Sequence, residues 1–219
     1  QKWRSVFTNE NKNVEFFKFG DIESLKNAKK KLDDKGVKLN CIITETIQGG
    51  SQRTASDKFH QELQNLALKN NALTIYDEIK VGLLRTGKLL AFQNYKNIKP
   101  DIVIVSKPLG MGLHPISIVA SSQKIFNKAY ASIQDGSIHS STFSGLGASM
   151  AIASQYIYEA SQKDTILKIN KLSQQLENVL NNLQSQFPKR IKKITGIGLF
   201  RGLELNFSIT PDLVSNFNP

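Results

Sequence analysis

The chain has 219 residues, 40% apolar and 21% charged, enough for one large or two small hydrophobic cores and too apolar for a disordered polypeptide. No run approaches the roughly 20 consecutive apolar residues of a membrane helix, no apolar run of signal-peptide length follows residues 1–5, and the single cysteine, Cys41, permits neither an internal disulfide nor a cysteine metal cluster, so a cytoplasmic protein without a metal site is expected. Lysine and arginine total 29 against 18 acidic residues, a formal charge of +11, but the basic residues are scattered and their two short clusters, Lys29-Lys30-Lys31 and Lys189-Arg190-Ile191-Lys192-Lys193, carry no interleaved aromatics, which points to solvated surface rather than a nucleic-acid partner.

Strand-like and helical segments alternate, the pattern of an α/β protein. Residues 14–19 read as a strand, broken by Gly20-Asp21, with Asp21 placed to cap a helix running to about Asp34. Residues 39–44 form a short apolar run, the mark of a buried parallel strand, and the Gly-rich loop Gln48-Gly49-Gly50-Ser51 follows. Between Ser56 and Asn70, apolar Phe59, Leu63, Leu66 and Ala67 share one helical face. Residues 72–76 form a second buried strand, ending on Asp77-Glu78, and after a long loop residues 102–105 form a third. Another strand follows Pro115, at residues 116–120. Ile169, Leu172, Leu176, Val179 and Leu183 mark one long amphipathic helix stopped by Pro188, and short strands are expected at 197–200 and 203–205.

Ligands of parallel α/β sheets bind outside the carboxyl ends of the strands. Three such ends carry polar residues: Glu45, Asp77-Glu78 and Ser106-Lys107. A lysine closing an apolar strand is either a buried nucleophilic amine or a side chain reaching back to solvent. Lys107 gains weight from Asp77, because pyridoxal phosphate needs a lysine to form a Schiff base and a carboxylate to keep its ring nitrogen protonated. Asp77 alone is equally consistent with capping the next turn.

Four motifs in order then carry a resemblance. Asp77-Glu78-Ile79, Gly82, Arg85-Thr86-Gly87-Lys88-Leu89, Ala91-Phe92 and Lys99-Pro100-Asp101-Ile102 resemble the central stretch of the class III (ornithine and 4-aminobutyrate type) aminotransferases. Ser106-Lys107-Pro108-Leu109-Gly110-Met111-Gly112 is similar to that family's cofactor-lysine segment, His139-Ser140-Ser141-Thr142-Phe143-Ser144-Gly145 to its phosphate-contacting segment, and Gly196-Ile197-Gly198-Leu199 to the entry of its C-terminal domain. The resemblance implies a fold-type I, aspartate-aminotransferase-like α/β architecture with a mostly parallel sheet. Residues 1–187 would be the second half of the cofactor-binding large domain with the interdomain helix, and residues 188–219 the start of an α+β small domain. It implies pyridoxal 5'-phosphate as cofactor, and transfer of an amino group from an amine or amino acid to a keto acid or aldehyde through a Lys107 Schiff base. A racemase, aminomutase or decarboxylase on the same scaffold, or a catalytically silent homologue, shares these motifs.

Residue by residue, the resemblance implies that Lys107 holds the cofactor and shuttles the proton, and that Asp77 pairs with the pyridinium nitrogen. Ile79 would pack on the ring with Lys80 beside it, Thr142 and Ser141 would contact the phosphate held by the neighbouring subunit of a homodimer, and Glu45 would stand on the substrate side, with Arg85 bracing the loop. This chain departs from the family pattern at Thr46 (usually proline), Gly50 (often glutamate), Lys80 (usually glutamine) and Leu146 (usually asparagine). The family's upstream phosphate loop is expected to precede residue 1 and the rest of its small domain to follow residue 219, so the chain is expected to be the middle of a longer enzyme.

Overall fold

A computed structural model describes residues 13–132, 135, 142 and 144–206. Helix α1 (Ile22–Asp34) leads to β1 (Cys41–Glu45), α2 (Asp57–Lys69) and β2 (Leu73–Asp77), and a long loop with a 3₁₀ helix at Ala91–Asn94 reaches β3 (Ile102–Val105). A second 3₁₀ turn, Lys107–Gly110, precedes β4 (Ile118–Ser121), α3 (Gln123–Ala129), α4 (Gly147–Ser161), α5 (Lys163–Gln186), β5 (Ile191–Ile197) and β6 (Phe200–Leu205). The first four strands form one sheet in the order β1-β2-β3-β4. The pairs β1/β2 and β2/β3 are parallel and β4 returns antiparallel along β3. No described helix is long and apolar enough to cross a membrane.

The helices begin where their caps dictate. Asp21 Oδ1 accepts from the Ser24 N–H at 3.0 Å, and the Ser56 hydroxyl accepts from the Phe59 N–H at 3.2 Å. Each satisfies one of the amides a helix start leaves without an intrahelical partner. The inward faces of α1 and α2 place Leu25, Leu32, Phe59 and Leu63 against Ile42 and Tyr76 on one side of the sheet. A second cluster joins Val103 and Val105 of β3 to Leu83, Leu109 and Ala153 of α4.

Three sequence expectations are corrected. Residues 14–19 make no strand: Phe17 and Phe19 alternate inward onto the first core, which mimics strand periodicity, but the segment joins no sheet ladder among the described residues. Strand β1 is buried on one face only, with Ile42 and Thr44 covered while Cys41 is exposed and Ile43 is 59% exposed. Both α1 and α2 pack on the Ile42 side of the strand. At the other end of the chain, β5 begins within the basic cluster at Ile191, six residues before the expected strand, and forms a hairpin with β6.

The hairpin docks beside the first sheet's carboxyl edge. Ile197 and Phe200 pack on Ile47, Val81 and Ala91. Gly198, at φ +65°, lies so close to the 85–86 backbone that an added Cβ would stand 2.6 Å from the Thr86 carbonyl carbon, and the Leu199 N–H donates to the Arg85 carbonyl at 2.9 Å. Glycine is required there for both contact and backbone conformation.

Candidate active site

Parallel pairing brings three chemistry-bearing strand ends to one edge. Glu45 of β1 is the register partner of Asp77 of β2, and Asp77 is the partner of Ile104 of β3, three residues before Lys107. The turn bearing Lys107 is anchored from below: Leu109 is fully buried, the Leu109 N–H donates to the Ser106 carbonyl at 2.7 Å, and the Ser106 hydroxyl donates to the Ile116 carbonyl at 2.7 Å. Lys107 itself is exposed, so the buried amine considered from sequence is not realised within this chain; Leu109 and Gly110 turn inward and leave Lys107 at the open edge of the sheet.

The carboxylates are each held by a neighbouring amide. Asp77 Oδ1 accepts from the Ile79 N–H at 2.9 Å, and Glu45 Oε1 accepts from the Gly49 N–H at 2.8 Å. A Cβ added at Gly49 would lie 2.8 Å from Glu45 Oε1 and 2.9 Å from Lys80 Cδ, so both side chains close on this position. Glu45 and Lys80 therefore flank the same point of the Gly-rich loop. Lys80 Nζ stands 6.0 Å from the Phe200 ring centroid, linking the strand edge to the hairpin. The Arg85 guanidinium donates to the Lys80 carbonyl at 2.7 Å, a bracing contact within the loop. Thr142 is exposed, and Ser141 lies outside the described residues.

Sequence reasoning noted Glu78 at the strand end beside Asp77 but gave it no role. Its side chain is 0% exposed, and its carboxylate accepts from Thr46 Oγ1 at 2.8 Å, the Ala91 N–H at 2.6 Å and the Phe92 N–H at 2.7 Å. Burial pushes this carboxyl above the usual carboxylate range, against the pull of those three hydrogen bonds. Its position beside Asp77 was the only available signal.

The chain can be set beside known proteins on this geometry. The family model of the class-III aminotransferases matches residues 4–217. The chain belongs to that family. Among curated relatives it is 34% identical to the mitochondrial ornithine aminotransferase of Arabidopsis thaliana, over 86% of this chain and 38% of that protein. It is 35% identical to a probable mitochondrial acetylornithine aminotransferase of Dictyostelium discoideum, over 98% of this chain and 46% of the relative. Solved aminotransferase structures align as well. The acetylornithine aminotransferase of Elizabethkingia anophelis superposes with a TM-score of 0.74 at 26% identity, covering 90% of this chain and 47% of that one. The ornithine aminotransferase of Toxoplasma gondii gives 0.73 at 27%, covering 91% and 47%. The chain thus spans less than half the length of these aminotransferases.

The donor set suits the family's cofactor. Lys107 Nζ and Asp77 Oδ2 make no hydrogen bond or ion pair among the described residues, which leaves an amine and a carboxylate oxygen available at one edge. These are the two groups that a pyridine aldehyde requires.

Proposed function

We propose that the protein carrying this chain is a pyridoxal-phosphate-dependent aminotransferase that moves an amino group from an amine or amino acid to a keto acid or aldehyde. The observation that carries this reading is the register of β2 and β3, which sets Asp77 and Lys107 at neighbouring strand ends. Pyridoxal phosphate, when bound, supplies a ring that takes up the electron pair released when a bond at the substrate's α-carbon breaks. Asp77 would hold the proton on the ring nitrogen, and Lys107 Nζ would anchor the cofactor and move the proton at the substrate's α-carbon as a general base. Ile79 and Lys80 would lie beside the ring and Glu45 on the substrate side.

Residues 1–187 contribute to the cofactor-binding domain, and residues 188–219 open the small domain. Thr142 and Ser141 would contact the cofactor's phosphate across a homodimer interface, in the cytoplasm. Ornithine and acetylornithine, named in the relatives, are the donors to try first.

The test uses the full-length protein. Borohydride treatment with pyridoxal phosphate should fix the cofactor to the peptide containing Lys107, and Lys107→Ala should abolish that labelling. Asp77→Ala should bind cofactor but lose most turnover. Labelling that persists in the Lys107→Ala protein, or near-normal turnover in Asp77→Ala, would refute the assignment of that residue.

A further inference from the structure

We propose that Thr46 and Glu78 act as a positioning pair that fixes the spacing of the Glu45 and Asp77 carboxylates. This rests on the reading of Glu45 and Asp77 given above. Glu45 and Asp77 form the last backbone rung of the β1/β2 ladder. One residue further, the backbone pairing stops and a side-chain hydrogen bond replaces it, from Thr46 Oγ1 to Glu78 Oε1 at 2.8 Å. Both residues are 0% exposed.

The Glu78 carboxylate also gathers the amides of Ala91 and Phe92, the first two of the 3₁₀ helix, and the Glu78 N–H donates to the Ile104 carbonyl at 2.8 Å. One side chain and its amide thereby tie together the loop after β1, the end of β2, the 3₁₀ helix at Ala91–Asn94 and strand β3. An ionised carboxylate has about four acceptor positions, and three are filled here. Thr46 supplies the one side-chain donor among them. Neither residue reaches the exposed edge, so both act through their neighbours. Asp77 is oriented by the Ile79 amide on the backbone that Glu78 pins, and Glu45 by the Gly49 amide on the loop that Thr46 begins. The usual proline at position 46 would carry no such donor, so this hydroxyl bond is specific to chains with threonine or serine there.

The experiment compares Thr46→Val, Thr46→Ser and Glu78→Gln with wild type in the full-length protein loaded with pyridoxal phosphate. It reads the pH midpoint of the cofactor's visible absorption, kcat and KM separately, and the thermal midpoint. Thr46→Val keeps shape but removes the donor, and should move the absorption midpoint by about half a pH unit and lower kcat about tenfold with KM within about twofold. Thr46→Ser should restore both. If Thr46→Val fails to fold, Glu78→Gln carries the test by the same two readouts. A wild-type absorption band with variants that change only the thermal midpoint overturns the positioning pair alone. A wild-type protein with no cofactor band overturns the aminotransferase reading, and this inference with it.

Discussion

The buried histidine of α2 makes stability depend on pH in a direction the structure fixes. His60 is 0% exposed, packed against the rings of Phe19, Phe59, Tyr76 and Tyr95, the last at 4.2 Å between centroids. Nδ1 lies 3.1 Å from the Tyr76 hydroxyl, while Nε2 has no hydrogen-bond partner. A proton added to this ring would place an unpaired charge in the core. Burial accordingly depresses the His60 pKa from 6.5 to about 4, with Asp57 opposing weakly. The native ring stays neutral in the range where the unfolded chain takes up a proton. This contribution to stability is fully present above pH 6.5 and is lost progressively as pH falls to about 4. At about 1.4 kcal/mol per unit the loss amounts to about 3 kcal/mol. Glu78 acts with the opposite sign: its raised pKa gives a contribution present below its ordinary value of 4.5 and lost as pH rises. Comparing wild type with His60→Leu at each pH cancels the Glu78 contribution. Near pH 7 the variant should be less stable by about 1 kcal/mol, through the lost Tyr76 contact. Towards pH 4 the gap should close and reverse by about 3 kcal/mol in total. Pulse proteolysis in urea at high dilution measures it. A gap that stays constant between pH 7 and pH 4 would show that the buried ring accepts a proton without penalty, and would refute the reasoning.

Gly198→Ala should weaken hairpin docking by about 2–4 kcal/mol, since the new Cβ meets the fixed Thr86 backbone and alanine resists a positive φ; hydrogen exchange at the Leu199 amide should rise while exchange in β2 stays unchanged. Leu109→Ala should cost about 2–5 kcal/mol by opening a cavity beneath the Lys107 turn, read as a lowered thermal midpoint. Expressed alone, these 219 residues should self-associate through the bare β1 face, and Ile43→Lys should shift their size-exclusion profile towards monomer. A monodisperse wild-type chain would mean that this face is covered in solution.

Much of the architecture was legible in the sequence because its signals are local. Asp21 and Ser56 announce helix starts through hydrogen bonds spanning three residues, and the apolar runs around Ile42, Ile75 and Ile104 announce strands by composition. Three polar strand ends on a parallel sheet had to fall on one edge, which is why Glu45, Asp77 and Lys107 group together in the sequence alone. Residues 14–19 misled because two phenylalanines packing inward at a spacing of two give the same pattern whether or not the backbone is paired. The tertiary structure alone decided the exposure of Lys107 and Ile43, since exposure depends on what packs above a residue rather than on the residue itself. It also decided the role of Glu78. Thr46 and Glu78 are 32 residues apart, and nothing in either local sequence states that a hydroxyl and two distant amides will converge on one buried carboxylate. Capping and periodicity are set within a few residues along the chain, whereas the satisfaction of a buried carboxyl group is set by how separate segments meet.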